Sequence, residues 1–171
     1  MTKPVINLSE VEFQTEKHLI SAGSDVFEAK FAPIGAHIGA QRLGYRLTVL
    51  PPGKKAWPFH AHYVTEEMFF VIEGKGQLRF GAEQYPIGVG DCIAAPAGGP
   101  EVAHQIVNDS DADLKYLCVS TVDETDITDY PDSNKYGVLV RSVPGSDRSQ
   151  PVFIHMTTKN EMLDYWEGED R

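Results

Sequence analysis

The sequence has little cysteine and lacks long apolar runs. Only two of its 171 residues are cysteines, Cys92 and Cys118, and both lie in apolar stretches typical of strands. We therefore expect two buried free thiols and no disulfide. No uninterrupted apolar stretch comes near the roughly 20 residues that span a bilayer, so the sequence predicts no membrane-spanning helix.

Basic side chains are also scarce. The chain carries 15 lysines and arginines against 25 aspartates and glutamates, which gives a formal net charge of −10. A surface of this sign repels phosphate backbones and anionic lipid headgroups, so we expect no nucleic-acid partner and no membrane partner. Residues 1–12 lack the basic start and apolar middle of a secretory signal, and we expect a cytoplasmic protein.

Sustained helical periodicity is missing as well, and short apolar runs between glycines and prolines take its place. This pattern is typical of an all-β sandwich or barrel, and 171 residues fit a single domain. Gly74 and Gly76 predict a hairpin between two of the strands, Met68–Ile72 and Gln77–Phe80. The other predicted strands of this central block are Leu43–Leu50, Tyr85–Val89, Cys92–Ala95, His104–Val107 and Leu114–Thr121.

The regions outside the central block are expected to add strands and little helix. Val11–Ile38 and Val138–Met156 are typical of flanking strands, and a short helix is expected near Asn160–Trp166. The acidic stretches Asp109–Asp113 and Asp123–Asp132 are predicted to be solvated loops. Apolar residues from 26 to 38 predict a homodimer joined through sheet edges, because flanks of small barrels often cover such edges.

Two histidines two residues apart form the first candidate metal site. His60 and His62 point to the same face if they lie in a strand, and Glu67 opens the next apolar run. A carboxylate at the head of an apolar strand needs a partner when it is buried, and a metal ion would supply one. A His-X-His pair is also a common surface feature, and Glu66 is the rival carboxylate to Glu67.

His104 begins a later predicted strand and is the fourth candidate ligand. Three imidazoles and one carboxylate leave positions open in an octahedral shell. This donor set suits one divalent metal ion, with Fe, Mn, Zn, Ni and Co not distinguished. The remaining histidines, His18, His37 and His155, are expected on the surface or in packing contacts.

The two blocks together resemble the two motifs of the cupin family, in their order and in their separation. The resemblance covers about residues 44–120, and it implies a cupin barrel (a double-stranded β-helix of the jelly-roll type) with flanking segments in one domain over residues 1–171. The first motif matches Gly53, His60, His62, Glu67 and Gly74, and the second matches Gly90, Pro96, Gly98, His104 and Asn108.

The resemblance implies two classes of function. The favoured one is a metal-dependent enzyme that acts on a small oxygen-rich metabolite, with sugar or sugar phosphate isomerase, dioxygenase and decarboxylase not distinguished. The alternative is a non-catalytic module that binds a small ligand, because one fold hosts many unrelated functions.

Two arginines and one loop complete the candidate site. Arg46 and Arg79 are possible substrate contacts, since a guanidinium binds anionic groups bidentately. Either could instead be a surface charge, Arg79 more so. The segment Tyr130–Tyr136 resembles one found in some bacterial single-domain cupins. Its residues are good turn formers, and whether it lines a pocket or only links two strands stays open.

Overall fold

The computed structural model describes residues 3–15, 25–142, 151–160 and 163–169. Within them the chain is almost entirely β, and the all-β prediction is confirmed. The strands are β1 Gln14–Thr15, β2 Lys30–Pro33, β3 Leu43–Leu50, β4 Ala61–His62, β5 Glu67–Glu73, β6 Lys75–Phe80, β7 Glu83–Gly88, β8 Cys92–Ala95, β9 His104–Val107, β10 Leu114–Thr121, β11 Thr125–Tyr130, β12 Lys135–Val140 and β13 Phe153–Thr158. Short 3₁₀ turns cover Leu8–Glu10, Ala36–Ile38, Pro100–Val102 and Pro131–Ser133.

The strands form three antiparallel sheets. The largest has the order β1-β2-β3-β10-β5-β8, the second β13-β12-β11-β4, and the third β7-β6-β9. In the centre of the first sheet, β10 lies between β3 and β5 and brings residues of the three strands close together. In that register Cys118 lies opposite Arg46 and Ser120 lies opposite Glu67.

The interior is built from the alternation of side chains along the strands. On β5, Glu67, Phe69 and Val71 face inward and are buried, whereas Met68 and Phe70 are 38% and 37% exposed. Burying one such apolar side chain contributes about 1.5–3 kcal/mol relative to leaving it in water. The main core cluster includes Phe31, Leu50, Phe69, Val71, Leu78, Ile87, Ile93, Ile106, Leu114 and Tyr116.

The predicted hairpin at Gly74 is wrong. The strand before it, β5, pairs with β10 and β8, whereas the strand after it, β6, pairs with β7 and β9. The chain therefore passes from one sheet to another at this glycine. The crossing is tight: Gly74 has φ +81°, and a Cβ there would overlap the carbonyl oxygen of Asp113. Glycine is the residue that tolerates both conditions.

The flanks add strands, as expected, at β1, β2, β12 and β13. The apolar residues invoked for a homodimer are mostly used inside the chain, since Phe31, Ala32 and Ile34 are buried. Val26 stays 46% exposed, and the homodimer remains a prediction. Around the expected C-terminal helix, residues 163–169 contain turns only, and residues 161 and 162 lie outside the described part.

The two cysteines differ in exposure. Both are free; Cys118 is buried, as expected, but Cys92 is exposed, so the prediction of two buried thiols is wrong for Cys92. The reason is the phase of β8, on which Ile93 and Ala95 take the inward positions. None of the helices in the described part of the chain has the length and hydropathy that a membrane crossing requires.

Candidate metal centre

His60 and His62 are brought to one face by a short strand that passes His104. The backbone N–H of His104 donates to the carbonyl of His60 at 2.7 Å, and that of His60 donates to His104 at 3.2 Å. Ala61, between the two histidines, is completely buried and points the other way. The ring centroid of His60 consequently lies 4.9 Å from that of His62 and 4.7 Å from that of His104.

Glu67 is the carboxylate on which the three imidazoles converge. Its Oε2 atom lies 3.1 Å from Nε2 of His104, 3.5 Å from Nε2 of His62 and 4.0 Å from Nε2 of His60. Glu67 is 7% exposed, whereas its rival Glu66 is an exposed residue. The structure thus places Glu67, and not Glu66, beside the histidines.

The ligand atoms of His60, His62 and Glu67 lie within 4.8 Å of one another, a cluster that could hold a metal ion. His104 does not belong to this mutually close group, and its ring centroid is 6.4 Å from that of His62. It approaches the cluster through Glu67, at the 3.1 Å separation given above.

The Nδ1 atoms of the His62 and His60 rings each make a hydrogen bond to an acceptor oxygen. His62 Nδ1 lies 2.5 Å from Asp126 Oδ2, and His60 Nδ1 lies 2.8 Å from the carbonyl oxygen of Pro58. Because a carboxylate or carbonyl oxygen can only accept a hydrogen bond, Nδ1 carries the hydrogen and is the donor in both contacts. The Nε2 atoms are left facing Glu67, and holding one ring nitrogen is how proteins orient histidine ligands.

Burial and charge set the protonation states of this cluster. Burial raises the pKa of Glu67, but hydrogen bonds from His104 and His62 and the charge of Arg46 outweigh it and hold the pKa well below its usual value. Burial lowers the pKa of His62, but its hydrogen bonds to Asp126 and Glu67 prevail and raise it to about 9. At His60, burial and the two neighbouring histidines lower the pKa to about 3.

A metal ion fits these residues chemically. An ionised carboxylate buried with imidazole nitrogens is the donor set expected for divalent iron, manganese, nickel, cobalt or zinc. A dication would also replace the proton that His62 holds, and would compensate the buried charge of Glu67.

A cavity of about 200 Å³ opens onto the cluster. His60, His62 and Glu67 form part of its wall. β10 and β11 contribute Ser120, Thr128 and Tyr130, which lie opposite or next to the candidate ligands in the strand registers. The remaining wall comes from Arg46, Trp57, Pro58, Thr65 and Arg141.

The two arginines proposed from sequence occupy different places. Arg46 lines the cavity, and its Nη2 atom lies 3.8 Å from Glu67 Oε1. Arg79 is not part of the described cavity wall. It forms a bidentate pair with Asp132 at 2.6 and 2.9 Å and stacks on Phe59, 3.6 Å from the ring centroid. A substrate contact through Arg79 remains a prediction without support from this geometry.

The segment Tyr130–Tyr136 has both of the roles left open. It links β11 to β12 through the 3₁₀ turn Pro131–Ser133, with Asn134 in the left-handed conformation at φ 51°. Asp132 ties this turn to Arg79 of the barrel. Tyr130 lines the cavity, with its ring stacked near His60 at 6.2 Å between centroids.

Asp126 is the site residue that the sequence interpretation missed, because the acidic stretch Asp123–Asp132 was expected to be a solvated loop. That expectation is wrong: residues 125–130 form β11, and Asp126 and Asp129 are 2% and 0% exposed. The alternation of Asp126, Thr128 and Tyr130 with other residues had the period of a strand and could have revealed it.

Two of the remaining histidines stay away from the cavity. His37 lies in an exposed turn, where its Nδ1 is 2.8 Å from the carbonyl oxygen of Pro33. His155 is exposed on β13. His18 lies outside the described residues.

Residues 46–120 match the family model of the cupin domain, and this stretch of the chain is a cupin domain. It contains the histidine and glutamate cluster and the strands that hold it. The chain is also 35% identical over 72 residues to an uncharacterised protein of Methanocaldococcus jannaschii. That match covers 42% of this chain and 54% of the relative.

Two solved structures are similar over nearly the whole chain. A sugar phosphate isomerase of the cupin superfamily from Silicibacter pomeroyi has a TM-score of 0.75 and 28% identity, over 92% of this chain and 94% of that chain. A candidate sugar phosphate isomerase from Acidithiobacillus ferrooxidans has a TM-score of 0.76 and 23% identity, over 95% and 96%. The second likeness shows the fold alone.

Proposed function

We propose that His60, His62, Glu67 and His104 bind one divalent metal ion, and that the protein is a metal-dependent enzyme acting on a small oxygen-rich metabolite. One observation carries the proposal: three imidazole Nε2 atoms surround a single buried carboxylate oxygen at distances of 3.1, 3.5 and 4.0 Å. The cavity beside this cluster gives a small molecule access to it.

Residues around the metal would orient its ligands and leave room for the substrate. A bound metal would supply Lewis-acid polarisation to hydroxyl or carbonyl oxygens of the substrate. Asp126 and the carbonyl of Pro58 fix the rings of His62 and His60, while Arg46 faces the second oxygen of Glu67. Four protein ligands in an octahedral shell leave two positions for a chelating substrate.

Isomerisation of a sugar phosphate is the reaction with the best support. The Silicibacter pomeroyi protein bears that activity in its name and resembles this chain over 92% of its length at 28% identity. An isomerisation moves protons within the substrate and needs no second reactant. The described cavity wall carries the hydroxyls of Thr65, Ser120, Thr128 and Tyr130. The phenol of Tyr130 is the most acidic of these four and is therefore the proton donor that we assign. Burial raises its pKa, which keeps it protonated.

The test is an isomerase assay on protein loaded separately with Mn(II), Fe(II), Co(II), Ni(II) and Zn(II). Aldose and ketose phosphates of five and six carbons are offered, and interconversion is followed by NMR. We expect turnover with at least one metal, loss of turnover in His60→Ala, and full turnover in His37→Ala, whose side chain lies outside the cavity.

The outcomes separate the classes of function. No interconversion by the metal-loaded protein would contradict the isomerase proposal. Oxygen consumption or carbon dioxide release from small carboxylates would then assign the site to an oxygenase or a decarboxylase. A bound metal without any turnover would favour the non-catalytic binding module.

A further inference from the structure

The cavity beside the histidine and glutamate cluster has more basic than acidic side chains, whereas the chain as a whole has more acidic ones. Acidic residues outnumber basic ones by 25 to 15 in the whole sequence. In the described cavity wall, however, Glu67 is the single acidic side chain and stands against two arginines, Arg46 and Arg141. A cationic pocket in an acidic protein attracts an anion from solution and keeps it there.

The two arginines are placed for different tasks. Arg46 faces the metal cluster, since its guanidinium lies 3.8 Å from Glu67 and is packed over the rings of Phe31 and Trp57 at 5.7 and 5.4 Å. Its charge therefore serves mainly to balance Glu67. Arg141 has no such relation to the cluster and is an exposed residue.

Arg141 stands where two cavities meet. It directly follows β12, and its backbone N–H donates to the carbonyl of Glu124 at 2.7 Å, which fixes the main chain there. Arg141 lines the cavity beside the candidate metal ligands and also a neighbouring cavity of about 310 Å³. Asp123 and Glu124 line that neighbouring cavity, so an anion held by Arg141 is favoured on the metal side.

We propose that Arg141 binds an anionic group of the substrate, a phosphate monoester or a carboxylate, while oxygens elsewhere in the same molecule reach the metal. The planar guanidinium offers paired N–H donors to either anion. Ser120 and Thr128 line the cavity as well and offer hydroxyls to the sugar-like part. This inference rests on the proposed function and adds the residue that binds the anionic end of its substrate, an acyclic or cyclic polyol.

The test is calorimetric titration with three probes that share a polyol: glucose 6-phosphate, gluconate and glucose. Each is titrated into the protein as purified and after Mn(II) addition. We expect at least one anionic probe to bind at least about tenfold more tightly than glucose, the amount that one charged hydrogen-bonded pair contributes. Which anionic probe binds decides between phosphate and carboxylate.

Variants assign the preference to Arg141. Arg141→Gln should lose about tenfold or more in affinity for the anionic probe, with metal content unchanged, and Arg141→Lys should keep part of it. Arg42→Gln, at an exposed arginine outside the described cavity wall, should bind as the wild type does. Wild-type affinity in Arg141→Gln would overturn the inference, and so would wild-type protein that shows no preference for either anionic probe.

The result is separable from that of the isomerase assay. Binding of glucose 6-phosphate that depends on Arg141, without interconversion, would leave the inference standing and remove the proposed reaction. Interconversion that is unaffected by Arg141→Gln would do the reverse.

Discussion

His62 donates its Nδ1 proton to Asp126 Oδ2 across 2.5 Å, joining two residues that are 64 positions apart. The other oxygen of Asp126 accepts the backbone N–H groups of Val64 and Thr65 at 3.2 and 3.4 Å. With Asp126 only 2% exposed, the carboxylate is fixed from two sides. The imidazole it holds has one orientation, with Nε2 toward Glu67.

Replacing this carboxylate should weaken metal binding without removing a ligand. We expect Asp126→Asn to lower metal affinity by about 10- to 100-fold, as loss of a partner behind a ligating histidine typically does. Metal affinity is measured by competition with a chelating dye. The control is Asp132→Asn, an exposed aspartate paired with Arg79, which should bind metal normally. Equal affinity in Asp126→Asn and wild type would show that Asp126 does not position His62.

In the metal-free protein, the contribution of His60 and His62 to the free energy of unfolding should be greatest near pH 6.5. The folded-state pKa of His62 is raised to about 9, so its stabilising contribution is complete below pH 6.5 and is lost as pH rises toward 9. The folded-state pKa of His60 is lowered to about 3, so protonation of the unfolded chain destabilises the fold as pH falls below 6.5.

This pH dependence can be measured by denaturant unfolding in EDTA from pH 5 to pH 9. Each histidine can change the free energy of unfolding by at most about 1.4 kcal/mol per pH unit. The His62→Gln variant should lack the decline above pH 6.5 that His62 causes in the wild type. Parallel curves for the two proteins above pH 6.5 would contradict the assigned protonation of His62.

Gly74 should resist substitution because of the sheet-to-sheet crossing. We expect Gly74→Ala to lower the free energy of unfolding by at least about 2 kcal/mol, since a left-handed conformation and a steric overlap add together. The matched control is Gly88→Ala, where a Cβ would meet no atom within 4 Å. Urea unfolding of both variants gives the comparison, and equal stability of the two would argue against the tight crossing.

The two thiols should react at very different rates. Burial and the nearby Glu67 carboxylate raise the pKa of Cys118 to about 12 against a smaller opposing effect of Arg46, so the thiolate is scarce at pH 8. Cys92 is exposed. A chromogenic disulfide reagent should titrate one thiol rapidly in the native protein and both in denaturant. Cys92→Ser should abolish the rapid phase; a rapid phase that persists would mean that Cys118 is accessible.

The sequence predicted the central strands because the information for them is local. A run such as Leu43–Leu50 carries its own β pattern, and it coincides with β3. The first cupin motif matches Glu67 and not its neighbour Glu66, and the phase of β5 places Glu67 inward. These features depend on period and spacing, which survive without knowledge of the tertiary fold.

Other features depend on contacts between distant parts of the chain and were not predictable in this way. From the local sequence, a glycine between two strands indicates a hairpin. The strands on either side of Gly74, β5 and β6, instead pair with other strands in different sheets. The acidic composition around Asp126 suggested solvent, whereas its burial depends on His62 and on the backbone of residues 64 and 65. Arg141 joins the cavity only through the docking of β12 against β11.

Metal content tests the central claim most directly. Untagged wild-type protein, purified without added metal, is compared by elemental analysis with the His60→Ala/His104→Ala double variant, whose fold is checked by circular dichroism. We predict close to one divalent ion per chain in the wild type and its loss from the folded double variant. Full metal retention by the double variant, or no metal in the wild type even after reconstitution, would contradict the proposed metal site.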